Sequence, residues 1–433
     1  MRWPLGVLLA VLYLSPISYA QLTAEQKDLN TKSFEKVWTT IRDKHWEKKP
    51  GGLDWQAIHD EYRPKMDQAD SMETARQVMR DMIGRLKQTH FAIIPMSVYE
   101  ESGAGDDPEL KGEGEPGLDL RVLENHAIVT RLDPGSPAEA AGIKPGWQIT
   151  KVDGKDLDPV IKKLKSAPDL PELLLERAVM SKLTGRIGNK VKVTLRDGAN
   201  KERTIELTLA PPRGQAAKFG NLPAEHVWVE SKKIGNTGYI AFNMFLDLPR
   251  VMGRFADEVG SCLDCDGLII DLRGNPGGIG GMAMGMAGFL IDTPNQKLGD
   301  MLMRDATLHF VVNPRTPHFK GPVAVLVDGS SASTSEILAE GLKDLGRAKI
   351  FGERTAAAAL PSYIEKLPNG DGFQYAVANY ISEGGKPLEG IGVTPDITVR
   401  LTREALLAGH DAVLDAAMEW IRKQSLEKQG TQK

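Results

Sequence analysis

Three short apolar runs constrain this chain more than any other feature. Gly238-Tyr239-Ile240-Ala241-Phe242, Gly267-Leu268-Ile269-Ile270-Asp271-Leu272 and Val323-Ala324-Val325-Leu326-Val327 are each bounded by turn residues and followed by a helical pattern. A strand with one face in water alternates apolar with polar residues, whereas these runs do not alternate, as a sheet covered on both faces requires. The chain after the Pro211-Pro212 break, residues 213–425, is therefore expected to form an α/β core around a largely buried sheet.

Two further units are expected upstream, and 433 residues leave room for them. From Thr23 to Lys87 the apolar spacing is helical: Phe34, Val37, Trp38 and Ile41 share one face, and Met79, Met82, Ile83 and Leu86 share another. The last helix is expected to run into Gln88-Thr89-His90, with a strand in Phe91-Ala92-Ile93-Ile94. A Gly- and acid-rich stretch from Glu101 to Pro116 reads as a linker, so residues 21–112 form a helical domain with its linker. Residues 113–212 then follow as a β-rich unit, opening with Gly117-Leu118-Asp119-Leu120 and closing with alternating strands from Val191 to Leu209. The stretch from Asp156 to Ser181 is expected to be helical.

Composition narrows the function. Hydrophobic residues at 41% and charged residues at 26% are globular values, and a net charge of -4 argues against nucleic acid as the main partner. Arg2, the apolar stretch from Leu5 to Leu14 and the small-x-small triplet Ser18-Tyr19-Ala20 read as a secretory signal over residues 1–20, with the mature chain starting at Gln21. No later stretch is apolar for long enough to span a bilayer, so the expected product is exported, periplasmic or extracellular. The only cysteines, Cys262 and Cys265, lack the further ligands of a zinc site and read as structural or as a local disulfide.

Two motifs carry chemistry. Asp271-Leu272-Arg273-Gly274-Asn275-Pro276-Gly277-Gly278 sits between a strand and a helix, where its glycines can turn N–H groups toward a developing oxyanion. No Lys-Ser/Thr pair follows, so a phosphate loop is disfavoured. In Ser331-Ala332-Ser333-Thr334-Ser335-Glu336 a strand-to-helix turn exposes a hydroxyl at a helix N-terminus. The same residues also spell a capping box in which Ser333 only caps the helix, and the residues alone leave both readings open.

The order Gly117 to Leu120, the turn Gly135 to Ile149 and Val152-Asp153-Gly154 resembles a PDZ domain, with Gly117, Leu118, Asp119 and Leu120 as its carboxylate-binding loop. With the two later motifs, the chain from about His90 to Glu389 resembles the C-terminal-processing and tricorn-like serine peptidases. The resemblance implies a mixed α/β fold with an N-terminal helical domain, a PDZ-like β domain and an α/β core of the ClpP/crotonase-like type. It makes Ser333 the nucleophile, with Gly277 or Gly278 and the amide of Thr334 as oxyanion donors. The lysine base of the processing branch would stand at Ala358 and its companion glutamine at Ser362, so both are missing. Lys366 lies outside that motif. The tricorn-like branch uses a histidine behind a hydroxyl residue and a late glutamate, which here are His90, Thr89 and Glu389.

The implied function is that of an exported serine endopeptidase with a His90 base titrating near the ordinary imidazole value of about 6.5. It needs no metal or organic cofactor and acts on polypeptides or peptides, selected by their free C-termini at the PDZ domain. The competing function is a non-catalytic peptide or apolar-ligand binding protein on the same fold, for which His90 and Glu389 together would have no purpose.

Overall fold

The computed structural model describes residues 22–101, 113–166 and 172–431. The expected signal segment and much of the Gly- and acid-rich linker lie outside the described residues.

The three apolar runs are the centre of a six-stranded sheet in the order Val229–Ile234, Thr237–Phe242, Gly267–Asp271, Val323–Val327, Lys349–Gly352, Ile397–Thr398. Its first pair is antiparallel and the rest are parallel. Both faces are covered, which explains the missing alternation. Ile240, Phe242, Leu268, Ile270, Val323 and Val325 face the helices Leu248–Ser261, Gly280–Ala287 and Thr334–Asp344. The intervening Tyr239, Ala241, Ile269, Ala324 and Leu326 face Val413, Ala417 and Ile421 of the helix Ala412–Thr431. Each strand therefore sends successive side chains into two different cores. Cys262 and Cys265 form a disulfide just after the Leu248–Ser261 helix.

The PDZ-like unit is an antiparallel sheet with the main order Leu118–Leu123, His126–Leu132, Gln148–Val152, Lys190–Arg196, Glu202–Thr208. The expected helical stretch appears as Asp158–Lys165 and Glu172–Met180. Leu118–Leu123 is an edge strand, and the Glu172–Met180 helix packs beside it through Leu175 and Val179.

The helices Ala24–Lys44, Trp55–Asp67 and Met72–Gly84 bury the two predicted apolar faces against each other. Their core is not self-contained. Leu367, Phe373 and Tyr375 from the far end of the chain complete it, and the strand Ala92–Ile94 pairs antiparallel with Gly372–Ala376. Arg76 fastens this junction, donating to both oxygens of the fully buried Asp371 at 2.8 and 2.9 Å. The third helix ends at Gly84, short of the expected Gln88-Thr89-His90. Lys87 and His90 then take positive φ values of 52° and 60°, which no continuing helix allows.

Removing one partner of a buried ion pair leaves the other desolvated and uncompensated. Arg76→Ala should therefore lower unfolding stability by about 3–5 kcal/mol in denaturant titration. A loss below about 1 kcal/mol would mean that the Asn369 and Met96 donors satisfy Asp371 alone.

Candidate active site

The strand Val323–Val327 leaves the sheet and turns at residues 328–333 into the helix Thr334–Asp344. Ser333 sits at the elbow with φ 55° and ψ −115°, a conformation that a side chain bearing Cβ adopts only under constraint. The constraint is Glu336. Its fully buried carboxylate accepts from Ser333 N–H at 2.9 Å, Thr355 Oγ1 at 2.5 Å, Ala357 N–H at 2.9 Å and Ala358 N–H at 3.0 Å. Ser333 N–H also reaches the Ala358 carbonyl at 2.8 Å. The capping-box geometry is present, but only its return arm, from Ser333 N–H to Glu336, is a hydrogen bond. The half-buried Ser333 hydroxyl makes none among the described residues. Burial pushes the Glu336 carboxyl up to about 7 in spite of its donors. The motif read from sequence assigned Glu336 only to the cap; its hold on residues 355–358 was not legible.

The two glycines behave differently. Gly277 is buried, and a Cβ there would stand 2.7 Å from Ser333 Cβ and from the Thr334 nitrogen. Its N–H donates to Asn275 Oδ1 at 2.9 Å, which corrects the expectation that this amide is available to an oxyanion. Gly278 is exposed, has φ 140°, and would drive a Cβ to 2.2 Å from the Phe245 carbonyl oxygen. Neither Gly278 N–H nor Thr334 N–H donates a hydrogen bond among the described residues. The fully buried Asn275 ties the two loops together, its carbonyl accepting from Ala332 N–H at 3.0 Å and Ser335 Oγ at 2.9 Å.

Thr89, His90 and Glu389 meet. Glu389 accepts from Thr89 N–H at 2.9 Å, from Thr89 Oγ1 at 2.9 Å and from Ala359 N–H at 3.2 Å. Thr89 Oγ1 lies 2.8 Å from His90 Nδ1. Because its one proton goes to Glu389, the hydroxyl accepts from His90 Nδ1–H, and Nε2 keeps its lone pair. Burial pulls the imidazole down to about 4 and raises the Glu389 carboxyl. This places His90 well below the range expected from sequence. No hydrogen bond joins His90 to Ser333 among the described residues. The two are linked through the chain: Ala358 holds Ser333, and the next residue, Ala359, holds Glu389.

The PDZ-like unit also touches the serine loop. Arg121 Nε donates to Asp328 at 2.8 Å, and Asp328 in turn accepts from Gly274 N–H at 2.9 Å and Ser330 N–H at 3.0 Å. Glu176 accepts from Ser330 Oγ at 2.5 Å and from Val122 N–H at 3.3 Å, and so bridges the edge strand to the serine loop. In the predicted loop, Gly117 has φ 71° and its carbonyl accepts from Asp133 N–H at 3.0 Å. Leu118 and Leu120 are buried and Asp119 pairs with Arg131.

The fold and site define a class: a three-part α/β protein presenting a serine on a strand-to-helix elbow, with a hydrogen-bonded histidine, threonine and glutamate contributed by distant segments. Residues 236–399 match the model for peptidase family S41, residues 30–84 the tricorn protease C1 domain and residues 106–164 the PDZ domain. The chain thus carries a core that matches peptidase family S41, with a tricorn C1 segment and a PDZ domain ahead of it. A probable CtpA-like serine protease of Staphylococcus aureus (strain COL) is 26% identical over 352 residues, 80% of this chain and 63% of the relative. This chain thus spans about 63% of the length of that protein. The chloroplastic carboxyl-terminal-processing peptidase 3 of Arabidopsis thaliana is 25% identical over 388 residues, 88% of this chain and 70% of the relative. The solved photosystem II D1 C-terminal processing protease shares the fold, with a TM-score of 0.56, 23% identity, and coverage of 90% of this chain and 99% of that one.

A carboxyl whose folded value is raised favours folding below its unfolded value, and that stabilisation fades as pH climbs through the folded value. The stability advantage of wild type over Glu336→Gln should therefore shrink as pH rises from the ordinary carboxyl range toward about 7. Urea titrations at several pH values read this directly, and a pH-independent difference would contradict it.

Proposed function

We propose that the chain is a serine peptidase that hydrolyses peptide bonds through an acyl-enzyme on Ser333, with His90 as the base. The observation that carries the reading is the Glu389–Thr89–His90 relay, which leaves Nε2 free to take a proton. As Ser333 Oγ attacks the substrate carbonyl, its proton passes to His90 Nε2. The ring then returns that proton to the leaving amine, and water repeats the sequence to release the acyl group. Of the two pairs read from the sequence, Gly278 N–H with Thr334 N–H is the one whose amides are open to an oxyanion. Contacts between base and nucleophile are often long in resting enzymes and close on substrate binding, consistent with a His90 that does not yet touch Ser333. Ala358 contributes backbone only, so the tricorn-type base is the reading that the site supports.

We place the activity outside the cytoplasm. The signal-like pattern before Gln21 supports this, as does the Cys262–Cys265 disulfide, because such bonds persist in oxidising compartments. No described helix is long and apolar enough to cross a membrane. The substrates are polypeptides, with the edge strand Leu118–Leu123 and the 117–120 loop as the receptor for their carboxyl ends. A peptide adding to this edge has to displace Glu176 from Val122 N–H.

A fluorophosphonate probe tests the nucleophile. Wild type should be labelled at Ser333, Ser333→Ala should be folded and unlabelled, and His90→Ala should lose most turnover while keeping roughly 10³-fold catalysis over water. Full activity in folded Ser333→Ala would end the assignment. Only a neutral ring accepts a proton, so kcat/KM should rise with pH through an apparent value below the usual imidazole range, toward about 4. An acid limb near 10, where a lysine titrates, would exclude a His90 base.

For the PDZ reading, a bound peptide with a free carboxylate should bind more tightly than its C-terminal amide, since backbone N–H groups bond a charged acceptor more strongly. Equal affinity by calorimetry would rule out carboxylate capture.

A further inference from the structure

His45 closes the first helix, has no solvent exposure and carries no signature in the sequence. Its ring makes two different hydrogen bonds. Nδ1 accepts from Glu47 N–H at 3.0 Å, which puts the ring proton on Nε2, and Nε2–H donates to Gln88 Oε1 at 2.9 Å. The ring also stacks on Trp46, with centroids 3.9 Å apart, and lies nearly parallel to Phe91 at 5.9 Å. Gln88 and Phe91 are the residues on either side of Thr89-His90.

That short turn needs a hold. Lys87 and His90 both occupy the left-handed region, which residues with a Cβ leave unless their surroundings prevent it. Glu389 grips Thr89 from the core side, and nothing else in that grip reaches Gln88 or Phe91. His45 supplies the opposite side. Its own backbone is fixed by Arg304, from the turn between the strands Gln296–Met303 and Thr307–Val312, which donates to the carbonyls of His45 at 2.8 Å and Arg42 at 2.7 Å. Burial keeps the ring neutral, so Nδ1 remains an acceptor.

We propose that His45 is a positioning residue for the His90 base: through Gln88 and Phe91 it holds the turn at residues 87–91 in the register from which the imidazole can serve Ser333. The inference rests on the reading of His90 as the base, and it assigns His45 no contact with substrate.

The test compares wild type, His45→Phe, His45→Gln, Gln88→Ala and the His45→Phe/Gln88→Ala double variant. Each is assayed for kcat and KM on one peptide substrate, for fluorophosphonate labelling of Ser333 and for thermal unfolding. Phenylalanine keeps a flat ring but cannot donate, whereas glutamine keeps an N–H where Nε2–H was. His45→Phe and Gln88→Ala should each lower kcat about tenfold or more with KM within about twofold, as expected when alignment rather than binding is lost. The double variant should be no worse than the worse single one, because both cut the same link. His45→Gln should recover most of the loss, which a merely structural histidine would not predict. If His45→Phe fails to fold, Gln88→Ala at its half-buried position carries the test. A folded Gln88→Ala with wild-type kcat, in an enzyme whose Ser333 is labelled, overturns the positioning role. An unlabelled wild type overturns the serine reading beneath it instead.

Discussion

The arrangement around Ser333 depends on one buried carboxylate. Glu336 takes four donors from two separate stretches of chain, the serine elbow and residues 355–358, and so converts two loops into one rigid piece. An ionised carboxylate without partners would be intolerable at that depth, while one with four donors is a strong and directional tie. From it the rest follows in sequence. Ala358 steadies the serine backbone, Ala359 donates to Glu389, Glu389 holds Thr89, and Thr89 sets the imidazole. Strain at Ser333 and His90 is tolerated because each strained residue is over-determined by its neighbours.

A second layer of ties joins the units. Asp328 lies where two of them meet: it accepts from Gly274 and Ser330 in two loops of the α/β core and from Arg121 of the PDZ-like sheet. Arg131 and Arg213 both pack over the Trp228 ring, with guanidinium carbons 4.1 and 4.4 Å from the indole centroid, and add an aromatic anchor between sheet and core. The helical segment adds shared strand pairing and shared core residues to its own Arg76–Asp371 tie.

What could be read from the sequence was local. Buried strands announce themselves through uninterrupted apolar runs, and 323–327 with the serine motif located the elbow because strand, turn and helix are contiguous. His90 and Glu389 came from resemblance alone, since 299 residues separate them and no periodicity links them. The fate of the Gly277 amide was hidden for a different reason: Asn275 is two residues away, yet only the folded loop shows which of the neighbouring N–H groups its side chain takes. The helix expected to continue to His90 stops at Gly84 because the chain must turn back to pair with residues 372–376, a demand made by the far end of the molecule. His45 and Gln88 are 43 residues apart, and their contact has no local pattern to betray it.

The completion of the first helical core by Leu367, Phe373 and Tyr375 sets a timetable for the nascent chain. A ribosome delivers residues in order, and units fold as they emerge. The leading helices must therefore wait, incompletely packed, until residues 367–375 have been made, and the Thr89 hydrogen bonds to Glu389 cannot form before that residue follows. Throughout synthesis Thr89 and Glu389 therefore remain apart, and their contact forms only when late-arriving residues join the opening helices to the core.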